Sequence, residues 1–235
     1  MAGPGSRFIQ LYIYDRAPTD EFSMVVARGP VRPRQAVPGK GTLPGEFRRG
    51  VVAFAFREYP VAMILKPQDI FICLKLVTKG RQPWTYQQLS AELFMSASEI
   101  NAGVRRARRA RLAGPGPDGA SPQPNLLALG EFLIHGLKYA FPPDRGAFTQ
   151  GVPTAHGASP LAGAPGTEGG DPIPVWPHPQ GPVRGYAFSP LYRSVPSAAL
   201  ADPALHELLA LVDAIRDERS RVSNLAVREL TARLR

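Results

Sequence analysis

A mainly α-helical fold is what this sequence predicts, and three observations predict it. Apolar residues recur every third and fourth position in several stretches, and most of those stretches open on a residue suited to capping a helix. Proline and glycine, 26 and 23 of 235 residues, gather between these stretches rather than inside them.

Pro67 opens the first stretch and Gly80 closes it, with Ile70, Leu74 and Val77 in helical register and Phe71 and Cys73 thickening the stripe. The spacing predicts a helix over about 67–79. Thr85 is a fitting N-cap for a second helix from Tyr86, with Leu89 and Leu93 four apart. Ser96-Ala97-Ser98-Glu99 has the S-x-x-E form of a capping box, and a third helix follows to about Arg111 with Ile100, Val104 and Ala107 inward. Two short helices joined by about three residues make a helix-turn-helix pattern. A fourth helix is expected over about 126–137, with Leu126, Leu129, Leu133 and Leu137 in register. Asp202 and Pro203 start another that carries Leu205, Leu208, Leu209, Val212 and Ile215, and the last begins near Ser223 with Leu225, Val227, Leu230 and Leu234.

Four segments follow from this pattern. Residues 1–62 read as a low-order extension: Phe8–Tyr14 and Val51–Phe56 are strand-like, but two isolated strands bury little. Met63 reads as the natural start, the competing reading being a basic arm that touches a partner. Residues 63–141 form the helix-turn-helix head. Residues 142–202 are expected to be irregular, since 142–203 hold thirteen prolines and nine glycines. Aromatics Trp176, Tyr186, Phe188 and Tyr192 suggest that part of this segment lies against the body. Residues 203–235 are a helical pair whose apolar surface suits packing on the first helix or on a second subunit, hence a homodimer.

Charge points to the partner. The formal net charge is +9, and residues 63–111 alone hold nine Lys/Arg against three Asp/Glu. Such a local excess marks a face for a polyanion. With Ile100, Val104 and Ala107 turned inward, the other side of the third helix shows Ser98, Asn101, Arg105, Arg108 and Arg109, with Arg106 at the edge. Asn pairs with adenine and Arg with guanine in bidentate fashion, and arginines beyond those neutralise phosphates. Thr85, Tyr86 and Ser96 stand where helix starts meet the DNA backbone. The expected partner is therefore double-stranded DNA. The bland alternative, a solvated helix face, is weighed down by the preceding helix and the capped turn.

Leu65–Leu76, Trp84-Thr85-Tyr86 with Leu89 and Leu93, and Ser96–Val104 resemble winged helix-turn-helix regulators of the MarR kind. His135–Pro142 and Gly151–His156 are similar to a group of little-characterised bacterial proteins that share this head. The resemblance implies a winged-helix-like fold and a transcriptional regulator, and such proteins typically begin where Met63 stands. Ala113–Asn125 departs from the pattern, being rich in Pro and Gly with no β-branched residue. A wing is thus expected to be missing or reduced to a loop.

The alternative reading is a protein-interaction or antidote-type subunit of a two-gene system, whose helix-turn-helix binds a protein from a neighbouring gene. Enzyme chemistry finds no footing: Thr154 and His156 join no nucleophile–base–orienter set. Gly39-Lys40-Gly41-Thr42 lacks the first glycine of a phosphate loop, with Arg34 in its place. His135, His156, His178 and His206 have no metal-ligand spacing, so no metal or cofactor is expected. Cys73, the single cysteine, forms no internal disulfide. No membrane-length apolar run or signal peptide is present, so the cytoplasm is the expected location.

Overall fold

Helix α1 (Pro67–Lys79) is the hub of the fold, with every residue from Asp69 to Leu76 buried. A helix this apolar on all sides must be covered on all sides. The covering elements come from both halves of the sequence: the helix Ala97–Arg109, strand Gln123–Pro124 and the helix Pro203–Arg216 all pack on it. The structure is a computed structural model describing residues 64–116, 119, 121–164, 172–217 and 222–235. The strand-like runs and the basic arm expected in residues 1–62, and the expected start at Met63, lie outside the described residues.

After α1, Gly80 adopts a φ of 59° and its amide returns to the Val77 carbonyl, ending the helix. Helix α2 (Tyr86–Leu93) begins in a reciprocal cap: Thr85 Oγ1 accepts from the Gln88 amide while Gln88 Oε1 accepts from the Thr85 amide. Phe94, in the left-handed region at φ 53°, turns the chain, and Met95 donates its amide back to the Ser90 carbonyl. Helix α3 (Ala97–Arg109) starts two residues later with the same device between Ser96 and Glu99. Its buried face is Ile100, Gly103, Val104 and Ala107.

Strands β1 (Ala113–Gly114) and β2 (Gln123–Pro124) then form a short antiparallel hairpin. It is pinned where Trp84 Nε1 donates to the Pro122 carbonyl at 3.2 Å and Asn125 donates to Leu112. The loop expected here is thus a two-residue ladder. Helix α4 runs over 126–140 through a π turn at Phe132–Gly136, and it buries Leu129, Leu133 and Leu137.

The Pro/Gly-rich stretch 142–202 corrects the expectation of a mainly α fold with an irregular middle. It contains β3 (Arg145–Pro153), β4 (Pro174–Pro177) and β5 (Val183–Phe188), which close on one another. β3 is antiparallel to both neighbours, while β4 and β5 pair in parallel through Pro174–Tyr186 and Val175–Ala187. So small a closed sheet needs backbone to pass against backbone. A Cβ on Gly151 would run into the Trp176 carbonyl, and one on Gly181 into the Gly151 backbone. Trp176 and Phe188 fill the core beneath. Helix α5 (Val195–Ala201) follows, then α6 (Pro203–Arg216) and α7 (Ser223–Arg233). Seven helices and two small sheets make the described fold mixed.

The leucines expected to seek a partner find it in their own chain. Leu205, Leu209, Leu211 and Val212 on α6 are at most 1% exposed, packed on α1 and α7. Burying each such side chain favours the fold by about 1.5–3 kcal/mol. Of the two expected packings, on the first helix or on a second subunit, these residues make the first within the chain.

Two charge clusters, one half-buried and one buried, join the halves. Lys75 of α1 lies 2.7 Å from both Glu92 on α2 and Asp202, the N-cap of α6. Asp213 of α6 accepts from Thr154 Oγ1 at 2.9 Å, Trp176 Nε1 at 2.7 Å and Arg216 Nη1 at 2.6 Å. Arg216 also donates to the Phe141 and Ser189 carbonyls. Thr154 is thereby a buried structural residue that ties the end of β3 to α6.

Candidate nucleic-acid interface

Helix α3 owes its two faces to its sequence. Residues 100, 103, 104 and 107 fall on the side turned to α1 and α2. Gly103 allows close approach, since a Cβ there would collide with the Ile72 side chain and press on Asp69. The opposite side carries Ser98, Asn101, Arg105, Arg108 and Arg109, all exposed. The side chains of Asn101 and the three arginines make no hydrogen bond or ion pair with another described residue, and all four are exposed. The positions 98, 101, 105, 108 and 109 form one stripe along the helix.

Arg106 stands apart from its neighbours. Its Nε and Nη2 donate to the two oxygens of Asp69 at 2.8 and 2.6 Å, and its side chain is only 11% exposed against 0% for Asp69. Asp69 also accepts from the Lys66 amide, so one carboxylate caps α1 and clamps α3. The pairing raises the Arg106 pKa above its ordinary value. The edge residue of the expected stripe is thus spent on the fold.

The other expected residues are split between capping and exposure. Thr85 is exposed with its hydroxyl occupied by the Gln88 amide, and Tyr86 is half-buried, its ring edge-on to Trp84 at 5.3 Å. Ser96 is exposed, but its hydroxyl and amide both engage Glu99, and Ser98 lies 3.1 Å from the Ser96 hydroxyl. Thr85 and Ser96 are thus exposed helix caps, Tyr86 is half-buried, and Ser98, Asn101, Arg105, Arg108 and Arg109 share one exposed stripe of α3, without Arg106.

Sequence reasoning missed the segment 192–194, which reaches the head from the other half of the chain. Tyr192 Oη donates to Glu99 Oε1 at 2.7 Å, and the buried Ser194 hydroxyl donates to the Leu93 carbonyl at 2.6 Å. The segment thus fastens the end of α2 and the first turn of α3. The only signal in the sequence was the cluster of aromatics in a Pro/Gly-rich stretch.

Tyr192 and Ser96 hold the Glu99 carboxyl down at about 2, from an ordinary value of 4.5, with the nearby Arg193 charge adding to the effect. Because the folded value is depressed, these contacts favour the fold fully above the ordinary value. That contribution is lost as pH falls through about 2. Carbon-detected NMR titration is expected to place the Glu99 midpoint near 2, and Tyr192→Phe to move it back toward 4.5. An unchanged midpoint in that variant would show that the tyrosine hydroxyl does not hold the carboxylate.

A shallow groove of about 340 Å³ opens beside the same turn, lined by Phe94, His178, Gln180, Ser197, Leu200 and Ala201. Ser197 Oγ and His178 Nε2 lie 3.3 Å apart, and His178 Nδ1 accepts from the Gln180 amide at 3.2 Å. Among the described residues no cluster of His, Cys, Asp or Glu is arranged to hold a metal ion, and no helix is long and apolar enough to cross a membrane. Cys73 is buried and its thiol is pushed up to about 12 by that burial, with Asp69 adding to the effect. Compared with known proteins, the chain matches no family model, no curated protein and no solved structure.

Proposed function

We propose that the chain is a sequence-specific DNA-binding transcriptional regulator that places α3 in the major groove of a duplex. One observation carries the reading. A capped thirteen-residue helix holds its apolar side against the core and offers Asn101, Arg105, Arg108 and Arg109 to solvent, unpaired with any described residue. Asparagine and arginine in that order suit base edges near the helix start and phosphates further along. The three-residue turn before α3 and the β1–β2 hairpin after it support the winged-helix likeness, with the wing reduced to a two-residue ladder. On this reading the protein acts in the cytoplasm, without a cofactor and without enzymatic activity.

The test uses the full chain and a labelled duplex from upstream of its own gene, followed by fluorescence anisotropy over a salt series. Asn101→Ala or Arg105→Ala is expected to cost about 1–3 kcal/mol on the specific site and to relax selection at one base pair. Arg108→Ala or Arg109→Ala is expected to weaken all duplexes alike and to lower the salt slope by about one unit. If all four variants melt normally and bind DNA as the parent does, α3 is not a reading helix. Phe94 and Leu200, 55% and 45% exposed on the groove beside the turn, favour the second reading, a subunit whose head binds a protein.

A further inference from the structure

Arg193 is exposed, with its guanidinium carbon 5.6 Å from the centre of the Tyr192 ring. It lies near enough to Glu99 for its charge to favour the ionised carboxylate. The backbone that carries it is not a free loop. Tyr192 is fastened to Glu99, Ser194 to Leu93, and the Val195 amide closes a turn on the Tyr192 carbonyl at 3.0 Å. Arg193 is therefore a cation held beside the first turn of α3, contributed by a stretch far away in sequence.

Its position matters because Glu99 is the only acid on α3 and stands at the end proposed to enter the groove. A carboxylate there repels phosphate, and a neighbouring fixed cation offsets that repulsion. Length supplies the second half of the argument. Thirteen residues of helix span about 20 Å, more than the roughly 12 Å width of the major groove. Charges at the two ends of such a helix therefore meet phosphates on opposite walls. Arg108 and Arg109 serve one wall, whereas the helix itself offers no cation for the other, since Ala97, Ser98 and Glu99 fill its first turn.

We infer that Arg193 is a phosphate contact of the nucleic-acid interface, with Tyr192 as the residue that positions it, so that the interface is completed by the C-terminal half of the chain. The ligand chemistry is the phosphodiester backbone of duplex DNA. The inference rests on α3 being the reading helix, and the experiment separates the two.

The full chain is titrated with a specific and an unrelated duplex over a salt series, with parent, Arg105→Ala, Arg193→Gln and Arg193→Lys compared at equal melting temperature. Arg193→Gln is expected to weaken both duplexes by the same factor and to reduce the salt slope by about 0.9 unit, while Arg193→Lys keeps the slope. Tyr192→Phe is expected to lose part of the affinity for both duplexes, because the hydroxyl that fixes the segment is gone. If Arg105→Ala loses selectivity while Arg193→Gln keeps both slope and affinity, this inference alone falls. If the parent shows no salt-dependent binding to either duplex, the reading of α3 falls and takes this one with it.

Discussion

Asp69→Ala is expected to lower the stability of the protein by about 3–5 kcal/mol, because it strands a charge that the fold has already taken out of water. Asp69 is wholly buried and receives both Nε and Nη2 of Arg106 as well as the Lys66 amide. Removing the carboxylate leaves the half-buried guanidinium unmatched and unravels the first turn of α1. At about 2–4 °C per kcal/mol for a chain of this size, the melting temperature falls by roughly 6–20 °C. Adding Arg106→Met to Asp69→Ala is expected to recover a large part of the loss, since an apolar side chain needs no counter-charge. A single variant that melts within about 2 °C of the parent would mean that the pair does not hold α3 to α1.

Asp213→Ala is expected to be comparably costly, again about 3–5 kcal/mol, through a different failure. Burial pushes this carboxyl upward, while Arg216, Thr154 and Trp176 pull it back by donating to it. Without the acceptor, the buried Arg216 keeps two carbonyls among the described residues, and the Trp176 indole and Thr154 hydroxyl lose the acceptor described for them. Thr154→Val removes one hydrogen bond and should cost only about 1 kcal/mol. The contrast is measured by urea unfolding, with near-ultraviolet circular dichroism reporting the packing of the indole. If Asp213→Ala proves as mild as Thr154→Val, the carboxylate is not the centre of this cluster.

The helices were legible because each carries its own evidence within a few residues. Pro67 to Gly80, Thr85, Ser96 with Glu99 and Asp202 with Pro203 set boundaries that the structure reproduces. The closed sheet was not legible, since its cause is non-local. Pro153, Pro174 and Pro177 read as breakers in any short window, yet here they end strands. Gly151 and Gly181, which look like loop residues, are where one strand lets another pass. The exposed stripe of α3 followed from spacing, but the loss of Arg106 to Asp69 lies 37 positions away in sequence. A buried acid inside an apolar helix was the one clue that an arginine would be drawn to it.

The burial of α1 on every side bears on how signals travel through the molecule. Its residues from Asp69 to Leu76 are shared between α3 on one flank and α6 on another, so no seam in the packing runs between the N-terminal and C-terminal helices of the described chain. Excision of residues 63–141 as a portable module would lay bare the face of α1 that α6 covers, and such a fragment would self-associate. On the proposed reading, a change in the C-terminal half reaches α3 through side-chain packing along α1 and through the hold of Tyr192 and Ser194 on the turn.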